Sequence, residues 1–281
     1  MSLSKKIDFA LIIKVKNANP NGDPLNGNRP RTDYDGFGEI TDVCLKRKIR
    51  DRLQESGVAI FVQANEKKTD GMVSLKKRAE AAEPIGLGTA VWTSQANKVE
   101  TAKKACAKWF DVRAFGQVFA FGKTEDSDSV SIAVRGPLTL QSAFSCSPVT
   151  VTSTQITKSV NADGNSDVKK SADTMGMKHR VDDAVYVAFG AITPQLAERT
   201  GFSDVDAALI KAVLPKLFEG DASSARPEGS MEVMQVLWWE HNSKAGQYSS
   251  AKVHATLSVH PDGSYDLVNF AGLAAEPIAG F

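Results

Sequence analysis

The chain has 281 residues, 42% hydrophobic and 24% charged, with a formal net charge of +1. That composition excludes wholesale disorder and fibrous architectures and leaves one large α/β domain or a core carrying a long insertion. The small net charge averages two unlike parts. Residues 181–281 hold 6 Lys and Arg against 13 Asp and Glu, and residues 1–180 hold 28 against 20, which predicts a basic binding surface beside an acidic remainder.

In chain order, Ile7–Lys16 is a run of β-formers and predicts a strand. It is followed by Asn17-Ala18-Asn19-Pro20-Asn21-Gly22-Asp23-Pro24, which cannot continue a strand and opens a loop to about Gly38. At roughly 20 residues this loop exceeds the usual connection, a length typical of functional or disordered segments. Thr41 or Asp42 then caps a helix through about Ser56 that stops at Gly57. Val43, Leu45, Ile49 and Leu53 form its apolar stripe, and Lys46, Arg47, Arg50 and, less clearly, Lys48 project elsewhere. With Val58–Gln63 as the next strand, the beginning reads β-α-β, compatible with a ferredoxin-like core.

Residues 64–115 read as mostly helical, with Leu75–Ala82 and Asn97–Phe110 as candidates, and they carry many lysines between Lys67 and Lys108. This composition is that of an insertion on the core. An acidic turn is expected at Glu125–Asp128. From Ser129 the pattern turns to strand: Val130, Ile132 and Val134 alternate, and Leu138 to Val151 is rich in Ser, Thr and Val. Lys158–Arg180 is polar and basic, with Asp163-Gly164 as a turn, and predicts a protruding hairpin or arm. Ala184–Ile192, Val233–Trp239 and Val253–Val259 read as strands, and Asp204–Phe218 as a helix.

Cys44, Cys106 and Cys146 form no CxxC pair, which signals neither a disulfide framework nor a zinc site. The apolar run near the start is too short for a signal peptide or membrane span, so a cytoplasmic protein without membrane contact is expected. The histidines make no metal motif; His254, on an expected strand, reads as structural. Gly86-Leu87-Gly88-Thr89-Ala90 lacks the lysine of a phosphate loop and reads as a turn. No cofactor is expected.

Two chemistries compete. Asp33 and Asp35, near Arg29 and Arg31, can position a metal or water for phosphodiester cleavage, or can simply be solvated loop acids that tune the arginines. The binding reading accounts for more residues. Arg29, Arg31, Lys46, Arg47 and Arg50 fall on one loop and one helix, beside a Gly/Asn-rich segment suited to phosphate contact. Phe115, Phe119, Met175 and Met177 suit stacking on or wedging between bases; core packing is the alternative for the two phenylalanines.

The segments Asn19-Pro20-Asn21-Gly22-Asp23-Pro24, Gly27-Asn28-Arg29-Pro30-Arg31 and Asp42-Val43-Cys44-Leu45-Lys46-Arg47-Lys48-Ile49-Arg50-Asp51 resemble the Cascade backbone subunit of CRISPR interference complexes. The likeness is greatest to the type I-C version of Cas family seven. Asp111-Val112-Arg113-Ala114-Phe115-Gly116 and Val134-Arg135-Gly136-Pro137 are similar to further family segments. The resemblance implies an α+β fold: an RRM/ferredoxin-like palm, a helical fingers insertion and a protruding thumb hairpin. On this chain the palm is expected over 1–63, 116–156 and 182–281, the fingers over 64–115 and the thumb over 157–181.

It further implies a non-catalytic protein whose copies polymerise along a guide crRNA, beside other Cascade subunits, and present the guide to a target DNA strand. Implied RNA contacts are Arg29, Arg31, Lys46, Arg47 and Arg50, with Arg113 and Phe115 on a palm segment. Lys158, Lys169, Lys170, Lys178 and Arg180 are expected to join them from the thumb. Met175 and Met177 are its wedge candidates by chemistry alone, and Val168 competes. In type III relatives an aspartate of the first loop cuts RNA, which keeps a nuclease using Asp33 or Asp35 as the rival. A single-copy RRM protein is disfavoured because an aromatic-rich strand is missing.

Overall fold

A computed structural model describes residues 2–93, 95–121, 130–157 and 175–281. The chain begins with strands β1 (Ile7–Ala18), β2 (Gly22–Asp23), β3 (Arg29–Pro30) and β4 (Phe37–Ile40), then helix α1 (Asp42–Glu55). Helices α2 (Leu75–Glu80), α3 (Lys98–Lys108) and α4 (Phe110–Phe115) lead into β5 (Gly116–Phe121) and β6 (Val130–Arg135). Strands β7 (Leu138–Leu140), β8 (Ala143–Pro148), β9 (Val151–Thr157) and β10 (Met175–Ile192) precede α5 (Pro194–Thr200) and α6 (Asp204–Val213). The last elements are β11 (Met231–Glu240), α7 (Ser250–His254), β12 (Leu257–Val259), β13 (Tyr265–Leu267) and β14 (Glu276–Ala279).

The fold is mixed α/β around one large antiparallel sheet in the order β14-β11-β1-β10-β8-β4, with β7 and β9 also paired to β10. Strand β1 is central, which explains its near-continuous apolar sequence: a strand buried on both faces has no polar side to show. One face sends Phe9, Leu11, Ile13 and Val15 into a core with Leu45, Ile49 and Leu53 of α1 and Ala207 and Ile210 of α6. The other sends Ala10 against Leu237, Trp239, Val253 and Leu257. Layers therefore stack as helices, sheet and C-terminal cover. At Gly190 a Cβ would lie 2.1 Å from the Phe9 ring, so the β1–β10 pairing at that position admits only glycine.

Strand β10 is twice the length expected from its apolar end. Its first half pairs with β9, from Met175↔Thr157 to Val181↔Val151. This ladder is mostly polar, with its few apolar residues scattered, so no hydrophobic run announces it. Lys158, Lys169, Lys170, Val168 and the turn Asp163-Gly164 lie outside the described residues, as does Glu125–Asp128.

A second core is built from Phe61, Trp92, Trp109, Phe119 and Ile132, with Phe61 and Trp109 ring centroids 4.7 Å apart. Strands β5 and β6 pair with each other and not with the large sheet, closing this core with Phe119 and Ile132. Residues 64–115 are less helical than expected, because much of the stretch is held by turns and by contacts such as the Arg78–Asp70 pair.

Three expectations are corrected. Val58–Gln63 forms no strand; Ile60 and Phe61 are buried, and the Phe61 and Val62 amides bond to the Asp111 carboxylate instead of a neighbouring strand. Ser250–His254 is a helical turn capped by Ser249, so His254 does not lie on a strand. Val43 is exposed and leaves the α1 stripe to Leu45, Ile49 and Leu53. Among the described residues no helix is long and apolar enough to cross a membrane.

Candidate nucleic-acid interface

The first loop is not a free coil. Asp23 and Asn28 close it: the Asn28 amide donates to the Asp23 carbonyl, and β2 pairs with β3. Gly27 and Asn28 both take positive φ, the turn geometry that Gly and Asn allow at least cost. At Gly22 a Cβ would sit 2.1 Å from the Asn28 side chain. Asn19 is buried and donates through Nδ2 to the Asn28 carbonyl at 2.7 Å. Asn21 Oδ1 accepts from the Thr41 amide at 2.9 Å and from its hydroxyl at 2.8 Å. Thr41 in turn caps α1 by accepting from the Cys44 amide. The Asn-Pro-Asn-Gly-Asp motif thus fixes the loop against the start of the basic helix.

Arg31 pairs with Asp23 at 3.2 Å. Arg29 reaches β9, its Nη1 donating to Ser153 Oγ at 3.0 Å, and that hydroxyl lies 2.8 Å from His179 Nδ1. The loop is therefore joined to the base of the β9–β10 ladder. Further along β10, Met177 is half-exposed and Lys178 is exposed, while Arg180 pairs loosely with Asp182 at 3.5 Å. The side chain of Met175 lies outside the described residues.

The helix α1 cations are held by neighbours. Lys46 pairs with Asp42 at 2.9 Å. Arg47 bonds to Asp51 at 3.2 Å and to the Val62 carbonyl at 2.9 Å. Lys48 is buried against Asp221. Arg50, only 12% exposed, meets the buried Asp111 at 3.0 Å. Burial lowers the Arg50 pKa from its usual value, against the opposing pull of Asp111. Phe115 is half-buried under this group: the Arg50 guanidinium lies 4.9 Å and the Lys46 ammonium 6.0 Å from its ring centroid. Its face is thus occupied by cations, which it attracts through the ring quadrupole. Phe119 is buried in the second core.

Arg113 is turned inward. Its Nη2 donates to Asp206 at 2.8 Å and its Nε at 3.2 Å, while Asp206 also accepts from the Ser203 amide in the α6 capping box. The structure therefore brings Lys46, Arg50 and Phe115 together, sets Arg29 and Arg31 on the adjoining loop, and directs Arg113 to a structural pair. Sequence reading missed Asp111, Asp206 and Asn21. Asn21 was signalled by its motif; the two aspartates had no local signal, because their partners are 61 and 93 positions away.

Asp33 Oδ1 accepts from the amides of Asp35 and Phe37 at 3.0 and 2.8 Å. It is a turn-former, the usual use of Asp at the start of a tight turn. Among the described residues no group of three His, Cys, Asp or Glu is placed to hold a metal ion.

A family model described as CRISPR-associated protein Cas7 matches residues 5–271. A protein of that description from Haloferax volcanii is 44% identical over 72 residues, covering 25% of this chain and 20% of its own length; the match thus spans a fifth of that relative. Among solved structures, a chain of a CRISPR RNA-guided surveillance complex is similar at 16% identity and TM-score 0.47, covering 92% of this chain and 77% of its own. A pre-nicking form of such a complex gives 15% identity and TM-score 0.46, covering 83% and 78%. A Type III-B Cmr-beta complex bound to cognate target RNA gives 9% and 0.42, covering 83% and 61%.

Proposed function

The chain belongs to the CRISPR-associated Cas7 family, and from that membership we propose that it is a guide-RNA-binding backbone subunit of a type I-C Cascade complex. The observation that carries this reading is the platform of Lys46, Arg50 and Phe115, set beside the loop that carries Arg29 and Arg31 and that Asn19 and Asn21 fasten to Asn28 and Thr41. In this reading the partly exposed Lys46, Arg29 and Arg31 neutralise backbone phosphates and release counterions, while Arg50, held by Asp111, supports the Phe115 ring. These contacts read the guide's backbone and leave its bases to pair with a target DNA strand.

The order β11-β1-β10-β8, with helix crossovers after β1 and β10, is that of a ferredoxin-like unit and supports an RRM-like palm. The second core supports a fingers unit running from about Phe61 through the β5–β6 hairpin. The β9–β10 ladder supports a thumb whose base carries Met177, Lys178 and Arg180. In this reading several copies line one crRNA in the cytoplasm, with the other Cascade subunits at its ends, and multivalency along the strand raises affinity. The protein acts as scaffold, and Asp33 shapes its loop.

Phe115→Ala and Lys46→Gln test the platform. Each is expected to weaken filter-bound RNA uniformly across sequences, and Lys46→Gln to lower the salt slope by about 1. Sizing with a guide-length RNA is expected to give multimers for the parent chain. Unchanged affinity and slope in both variants would remove this platform from the RNA site.

A further inference from the structure

A groove of about 370 Å³ lies where α3 and β6 meet the end of α5. Its floor is apolar: Val99, Ala102 and Val134 line it, and Val99 is 64% exposed, with no apolar neighbour over it. Its rim is cationic: Lys98, Arg135 and Arg199 line it and are exposed. Among the described residues none of these three side chains has an ion pair or hydrogen bond. Nearby acids are engaged elsewhere, Glu100 with Lys103 and Glu198 with Lys244. The contrast with α1 is sharp, since there every cation has a carboxylate partner within the chain.

We infer that this groove is a docking site for an acidic segment of a partner protein, one in which Asp or Glu residues flank one or two aliphatic side chains. Three unpaired cations around an aliphatic floor are complementary to such a segment in charge and in polarity. A nucleic acid fits less well. The lining has no aromatic ring for base stacking, which single-stranded recognition uses, and phosphates held by the rim cations would leave the aliphatic floor unfilled. An exposed aliphatic residue enclosed by charged ones is also the pattern of a protein-binding patch.

Fluorescence anisotropy of the full chain tests the inference with three labelled probes of equal charge: a peptide alternating Glu and Leu, one alternating Glu and Ser, and a uridine oligomer. The Glu/Leu peptide is expected to bind saturably. The Glu/Ser peptide is expected to bind about tenfold more weakly, the factor that burial of an aliphatic side chain carries. The pair Arg135→Glu and Arg199→Glu is expected to abolish Glu/Leu binding, and Val99→Asp to reduce it to the Glu/Ser level. All three positions are exposed, so these variants keep the fold, and circular dichroism verifies it. No saturable binding, equal binding of the two peptides, or displacement by the uridine oligomer with Val99→Asp silent would each overturn the proposal.

Discussion

At the residue scale, a basic side chain in the sequence is a weak guide to a basic surface. Arg50 and Arg113 were both expected to face RNA, yet each is claimed by a carboxylate, Asp111 and Asp206. The identity of the charges was legible; their pairing was not, because it depends on which distant loop the fold brings back. Asp111 is the more consequential partner. It accepts from the amides of Phe61 and Val62 as well as from Arg50, so one carboxylate closes a segment that would otherwise need a strand. Asp111→Ala would strand a largely buried guanidinium and two amides, at a cost of about 3 kcal/mol. Lys46→Gln breaks only a partly exposed i,i+4 pair, worth less than about 1 kcal/mol. Urea unfolding of the two variants is expected to separate them clearly; an Asp111→Ala midpoint equal to the parent's would show that Arg50 does not depend on it.

At the element scale, the sequence is readable where one local rule decides. Helix α1 starts at its expected cap and stops by Gly57 because Thr41 and glycine act within a turn of their own position. Strand β1 and the apolar half of β10 follow from β-branched runs. The misses have a common physical origin. Val58–Gln63 has the composition of a strand, but the Phe61 and Val62 amides are satisfied by the Asp111 side chain. The first half of β10 has the composition of a loop, but its partner strand supplies the bonds. Val253 is apolar because α7 lays it on the sheet's second face. Propensity cannot distinguish these cases, since tertiary partners decide them. The cap itself is open to test. Thr41 both caps α1 and donates to Asn21, so Thr41→Ala is expected to cost about 1 kcal/mol, read as a lower urea midpoint at unchanged m-value. It should also loosen the loop carrying Arg29 and Arg31, seen as weaker RNA binding, whereas Thr41→Ser should restore both. An alanine variant as stable as the parent would mean the Asn-Pro-Asn-Gly-Asp loop holds its shape without the helix.

At the scale of the whole molecule, the charge asymmetry between residues 1–180 and 181–281 is partly spent inside the fold. Lys5 pairs with Glu240, Lys14 with Asp183, Lys48 with Asp221 and Arg113 with Asp206, so the acidic part neutralises its own basic half before any neighbour does. The third layer is fastened in the same manner. Asp8, on the sheet's second face, is fully buried and accepts from His241 Nε2 at 2.8 Å and Lys6 Nζ at 3.1 Å, with His254 Nε2 3.5 Å from its other oxygen. The Gln247 amide donates to His241 Nδ1, which fixes the tautomer that donates to Asp8. Burial acts to raise the Asp8 pKa, but His254, Ser250, His241 and Lys6 together outweigh it and hold the carboxyl well below the usual carboxylate range. A group whose folded pKa is depressed stabilises the fold above its unfolded pKa and loses that contribution as pH falls through the folded value. With an unfolded Asp near 3.9, the stability that Asp8 provides is complete at neutral pH and declines below about pH 4. Asp8→Asn is therefore expected to cost about 3 kcal/mol at pH 7, since it removes the charge that Lys6 pairs with and turns one accepting oxygen into a donor amide among donors, and to flatten the acid limb of the stability curve. Urea unfolding followed by the summed tryptophan fluorescence of the chain from pH 7 to pH 3 reads both effects. A variant with the parent's full acid sensitivity would place the responsible carboxylate elsewhere and leave the C-terminal cover held by Leu237, Trp239 and Val253 alone.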